Sequence, residues 1–218
     1  MKRKSRPLLA ALVAALAVMA SHAAESDLSL NARLLLAARN SDAAGIERAL
    51  KSGAAVDARN RLGETPLLIA LKRKDTALAR TMLDAGANVN TAAVNGVTPL
   101  MASAHAGLGE FVTLLLARGA QPGAVDRIGK TAMIYAAGEG HAAIVKQLLA
   151  RGVDANAVYR NDLTALMWAA GSGKPDAVLA LLEAGARPDL RDNRGKTALD
   201  MAREGNHAAA AALLAPRS

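Results

Sequence analysis

The side chains that carry most catalytic chemistry are sparse in this sequence, and their spacing does not suit them to it. Beyond residue 23 there are three histidines, His105, His141 and His207. A metal site needs three or four ligands that converge, and nothing in the placing of these three suggests it. The chain has no cysteine, which excludes disulfides, thiolate zinc ligands and a cysteine nucleophile. Neither a Gly-x-Ser-x-Gly elbow nor a phosphate loop is present. Asp126, Asp154 and Asp192 recur at regular points, where aspartate favours turns and caps. The expectation is a protein with no catalytic residues, no metal and no cofactor. The alternative is an enzyme or metal-dependent protein whose site leaves no recognisable spacing.

Positive charge is the more prominent chemical feature. Lys and Arg number 27 against 19 Asp and Glu, a formal charge of +8. That excess invites an anionic partner, but four of the positives, Lys2, Arg3, Lys4 and Arg6, stand directly before an apolar run. Leu8 to Ala20 is thirteen residues of Leu, Ala, Val and Met, followed by Ser21-His22-Ala23. A basic segment, a short apolar core and small residues at −3 and −1 form the secretory pattern, and the run is shorter than the roughly 20 residues that span a bilayer. Cleavage is expected after Ala23, since cleavage after Ala24 would put His22 at −3. Residues 1–23 are thus read as a signal peptide, with the periplasm or the exterior as destination and no stable membrane anchor after cleavage. The alternative is an uncleaved N-terminal helix that anchors the chain. Without those 23 residues the charge falls to +4, a value typical of a solvated surface. Nucleic acid is therefore a poor candidate partner.

The rest of the chain is periodic. Gly63-Glu64-Thr65-Pro66-Leu67 recurs as Gly96-Val97-Thr98-Pro99-Leu100, then Gly129-Lys130-Thr131-Ala132-Met133, Asp162-Leu163-Thr164-Ala165-Leu166 and Gly195-Lys196-Thr197-Ala198-Leu199, always 33 residues apart. A second series, Gly53, Gly86, Gly119, Gly152 and Gly185, keeps the same step. Each Thr suits a helix N-cap, and Pro66 and Pro99 suit the first helical position. Gly107, Gly140, Gly173 and Asn206 follow about nine residues later, the residue types that tolerate a left-handed helix end. A second helix follows, as at Ala142 to Arg151, with Ile144, Val145, Leu148 and Leu149 on one face. The apolar content, 52% with only 2% aromatic, is mostly Ala, Leu and Val and suits close-packed helices. One such hairpin cannot bury its apolar face alone, so the units must stack.

These motifs resemble the ankyrin repeat: the Gly-x-Thr-Pro-Leu start, the junction Ala136, Ala137, Gly140, His141, the Leu-Leu pair, and the end Gly86, Ala87, Asn90. The resemblance implies an all-α solenoid of about six stacked helix-turn-helix units with short turn fingers, covering residues 27–215 as units 27–59, 60–92, 93–125, 126–158, 159–191 and 192–215. It gives His141 and His207 a structural role. The first unit has Ala32-Arg33 in place of Thr-Pro, and the last has Ala210 and Ala211 in place of Ile144 and Val145, as end units facing water should. Leu68, Met101, Ile134, Met167 and Asp200 stand where the family usually has a histidine, so apolar packing is expected in place of its hydrogen bonds. Lys74 stands in the glycine position, and an irregular junction is expected at Lys72-Arg73-Lys74-Asp75.

The resemblance also implies binding through the concave surface of turn tips and inner helices. Here that surface would include Arg61, Arg127, Ile128, Lys130, Arg160, Asn161, Leu163, Arg194 and Lys196, together with Trp168 and Tyr135 at equivalent inner-helix positions. Arg and apolar groups in one patch fit a protein partner, including one with an acidic surface. The same cations also fit a solvated rim that keeps the chain soluble. Trp168 and Tyr135 fit either an aromatic pair facing the groove or partly buried packing between units.

Overall fold

The computed structural model describes residues 29–215. The expected signal peptide, residues 1–23, lies outside the described residues. Twelve α-helices and one short 3-10 turn, Arg160–Asp162, make up the regular structure, with no strand among the described residues. The helices come in six pairs: α1 (Leu30–Asn40) and α2 (Ala43–Lys51), α3 (Pro66–Lys72) and α4 (Thr76–Asp84), α5 (Pro99–Ala106) and α6 (Gly109–Ala117), α7 (Ala132–Glu139) and α8 (Ala142–Leu149), α9 (Ala165–Gly171) and α10 (Pro175–Glu183), α11 (Ala198–Glu204) and α12 (Ala208–Leu214). Each inner, odd-numbered helix packs on its own outer partner and on the next inner helix. The outer helices from α6 onward also pack on their successors. The result is an all-α solenoid.

The caps explain why the helices start where they do. The Thr65, Thr98, Thr131, Thr164 and Thr197 hydroxyls accept the backbone N–H of Leu68, Met101, Ile134, Met167 and Asp200. This satisfies a donor that the first helical turn leaves free. Leu68, Met101, Ile134 and Met167 are buried to within 1% of full burial, so apolar packing does replace a hydrogen-bonding side chain there. Asp200 differs: its carboxylate accepts from the Thr197 backbone N–H at 2.9 Å and closes a capping box.

Three local expectations change. Lys74 takes φ +59 and ends its inner helix in the same left-handed turn as Gly107 and Gly140, so the junction is regular. The strain of a side chain there is compatible with an exposed lysine. α8 ends at Leu149, two residues before Arg151, in a hydrogen-bonded turn through Gly152. α1 is capped by Ser29 and begins three residues ahead of the register of the other inner helices, which explains why Ala32-Arg33 serves where Thr-Pro stands elsewhere.

One apolar core runs unbroken from Leu34 to Leu214 between the two helix layers and between units. Polar clamps tie the units on the side of the outer turns. Asn90 accepts from Gln121 N–H at 3.0 Å and donates to Gly119 O at 3.0 Å. Asn156 repeats this two periods later, at 2.7 Å to Arg187 N–H and 3.1 Å to Gly185 O. Gly123 stands at the intermediate position and has no side chain to do so.

Candidate functional site

The fingers between units are small hairpins. In each, the first residue's N–H bonds the carbonyl four residues on: Asn60 to Glu64, Ala93 to Val97, Asp126 to Lys130, Tyr159 to Leu163 and Asp192 to Lys196. The carboxylates of Asp126 and Asp192 accept two further tip N–H groups each, at 2.8–3.0 Å, so these acids serve as turn formers, as their recurrence suggests. Neighbouring fingers are joined by Val94 N–H to Leu62 O at 2.8 Å, Arg127 N–H to Asn95 O at 3.0 Å and Asn193 N–H to Asn161 O at 3.1 Å. The ladder is interrupted once. Asn161 and Asp162 both take left-handed φ, +62 and +58, and no bond joins Arg160 N–H to Ile128 O.

The expected surface residues divide by what they touch. Arg61, Arg127 and Arg160 are exposed, with no carboxylate within ion-pair distance among the described residues. Asn161 is exposed and Leu163 half-buried. Ile128 is 56% exposed and continues a row of apolar tips from Leu62, 64%, and Val94, 49%. Arg194 is not free, because its guanidinium lies 2.8 Å from the Asp192 carboxylate. Lys196 reaches Glu204. The basic rim is therefore smaller than the sequence suggests. Burial opposes ionisation of Asp192, but the Lys196 and Arg194 backbone N–H groups and the Arg194 guanidinium outweigh it and hold its carboxyl below the usual range.

Tyr135 and Trp168 are both half-buried; Tyr135 borders the groove between the inner helices and Trp168 a separate, smaller hollow, and their rings do not stack on each other. Lys130 lies between them, its ammonium 4.2 Å from the Trp168 ring centroid and 5.5 Å from that of Tyr135. Each such contact is worth about 0.5–2 kcal/mol, more as water is excluded. The Tyr135 hydroxyl donates to Asp126 at 2.7 Å, and burial together with that carboxylate raises its pKa well above the usual phenol range. His105 also packs edge-on against the Tyr135 ring at 5.5 Å, with its Nδ1 3.4 Å from Glu139. Spacing alone could not have revealed the Lys130 contact, which joins a finger to an inner helix 38 residues away.

His141 and His207 do not face this surface. Each donates from Nε2 at 3.1 Å to a carbonyl of the preceding inner helix, His105 O and Gly171 O, and thereby ties two units together. Beside the aromatic cluster lies a groove of about 470 Å³ walled by Lys72, Lys74, Val97, Met101, His105 and Tyr135. No group of three or more His, Asp or Glu that could hold a metal is found among the described residues. No helix there is long and apolar enough to cross a membrane.

Compared with known families, the chain matches a family model described as ankyrin repeats (3 copies) over residues 34–126, 110–192 and 133–218. A search of curated proteins finds no match.

Proposed function

This chain belongs to the ankyrin-repeat family, and from that premise we propose that it is an exported scaffold that binds a protein partner through its concave face. Ankyrin repeats are generally protein–protein interaction modules and typically non-enzymatic. One observation supports this surface above others: exposed, unpaired cations and a row of exposed apolar tips stand on fingers that hydrogen bonds hold rigid. Preorganisation of that kind lowers the ordering cost of binding. Arginine beside apolar groups is the composition of interface centres, not of a plain solvated rim.

Site-specific photocrosslinking in the expressing cell tests the face. A photoreactive residue at Ile128, Leu163 or Val97 should trap a defined protein adduct. The same group at Leu179 or Leu213, exposed on the outer helices, should trap none. Equal yields from both faces would remove the concave surface from the account.

Export is proposed on the N-terminal pattern alone. The chain recovered from the periplasmic fraction of a bacterial host should have an intact mass beginning at Ala24. A full-length chain held in the membrane pellet would replace secretion with anchoring, and a full-length chain in the cytosol would remove both.

A further inference from the structure

The interrupted step of the finger ladder lies beside a concave-face cation, Lys130, that no carboxylate pairs with among the described residues. Lys130 is half-buried and fixed from three sides: its backbone N–H bonds Asp126 at 2.8 Å, and its ammonium rests on Trp168 and Tyr135. Tyr135 is in turn held by Asp126 below and by His105 at its edge. No carboxylate lies within ion-pair distance of Lys130 among the described residues, which sets it apart from Lys196, Lys72 and Arg194. An ammonium stacked on ring faces still has N–H donors directed away from the rings. Directly beside it, Arg127 and Arg160 are exposed and unpaired, Ile128 and Leu163 offer apolar area, and Arg160 N–H and Ile128 O lack the partners that equivalent groups have at the other fingers. The exposed acid of these two tips is Asp162; the Asp126 carboxylate is buried and engaged inward.

We propose that the partner docks an acidic, extended protein segment across the junction of the fourth and fifth units, placing one carboxylate on Lys130 and an aliphatic side chain against Ile128 and Leu163. This rests on the scaffold reading above and gives it a location and a chemistry. The segment's backbone bridges the open Arg160 N–H and Ile128 O, and Arg127 and Arg160 receive a second acid. A carboxylate at Lys130 enters a partly dry site with its counter-charge already in place, so it gains more than one docked at a solvated arginine. Arg61, two fingers away, takes no part.

The test uses the purified protein and fluorescent, end-capped peptides of about twelve residues, with anisotropy as readout. One peptide alternates Asp or Glu with Leu or Val; a second keeps the acids and replaces the aliphatics with Ser; a third replaces the acids with Lys; and a single-stranded oligodeoxynucleotide of equal charge completes the set. The first should bind at least tenfold tighter than each of the others. Lys130→Met, which keeps the stem against the rings, should weaken it about tenfold, the double variant R127E/R160E by at least as much, and Arg61→Glu by less than twofold. R127E/R160E and Arg61→Glu should keep the melting temperature of the parent, and Lys130→Met, which gives up its ring contacts, should melt a few degrees lower but stay fully folded at the assay temperature, so that loss of binding cannot be a loss of fold. No binding of the acidic-aliphatic peptide, tighter binding of the oligonucleotide, or unchanged affinity in Lys130→Met would each overturn the proposal. Photocrosslinks from the concave face that do not depend on Lys130 would leave the scaffold reading standing and overturn only this assignment.

Discussion

Truncating Phe111 to alanine should remove about 3–5 kcal/mol of stability and lower the melting temperature by roughly 10 °C, the cost of emptying a large buried site in a protein of this size. Phe111 is the chain's single phenylalanine and is 1% exposed. It lies on α6 beside Val112 and Leu115, both fully buried, with the Arg80 guanidinium 5.8 Å above its ring. The consequence follows from the linear architecture. α6 belongs to the third unit, and each unit is held by its neighbours alone, so weakening the middle uncouples the two ends. The outer helices pack on their successors from α6 onward, whereas α2 and α4 contribute little to such stacking. The first two units should therefore open before the last three. Hydrogen exchange should show amides of α1 to α4 losing protection first, while α9 and α10 keep theirs, and the thermal transition should broaden. A single sharp transition shifted by only a degree or two would show that the array folds as one cooperative block.

The same linear logic explains what the sequence could reveal. Fold, unit length and helix starts were legible because each is set by a local residue requirement that recurs every 33 positions: Thr for the cap, Pro or Ala after it, glycine at most of the turns where φ is positive. Lys74 shows the limit of that reading. Its backbone adopts the left-handed turn at φ +59, a conformation that residue type disfavours without forbidding. The concave surface was legible as a set of positions but not as a set of contacts. Whether a tip cation is free depends on acids placed by the fold: Asp192 two residues before Arg194, Glu204 a helix away from Lys196, and none at Lys130, Arg127 or Arg160. The clamps at Asn90 and Asn156 carried a usable signal, since they recur in register with Gly123 between them. The ladder break carried a weaker one, the Asp162 in a glycine position; the left-handed φ of its neighbour Asn161 is visible only in the backbone.

Gly173→Ala should cost about 2–4 kcal/mol, against about 1 kcal/mol for Gly119→Ala, although both glycines have positive φ. At Gly119, φ is +84 and an added methyl would meet nothing within 4 Å, so only backbone strain opposes it. At Gly173, φ is +65 and the methyl would come to 2.5 Å from His207 Nδ1. That imidazole is seated between Gly173 and Gly205, and its Nε2 donates to Gly171 O at 3.1 Å, a carbonyl near the end of α9 that the helix itself cannot satisfy. A methyl at residue 173 therefore displaces the ring, breaks the bond between the fifth and sixth units and leaves the carbonyl without its donor. His207→Ala removes both the bond and the obstacle, so in that background Gly173→Ala should cost only the strain seen at Gly119. A double-mutant cycle by urea denaturation should give a coupling of about 1–3 kcal/mol between the two positions and none between His207 and Gly119. Equal costs at the two glycines, or additivity at Gly173, would show that the ring moves aside freely and that the histidine contributes nothing to joining the last unit to the array.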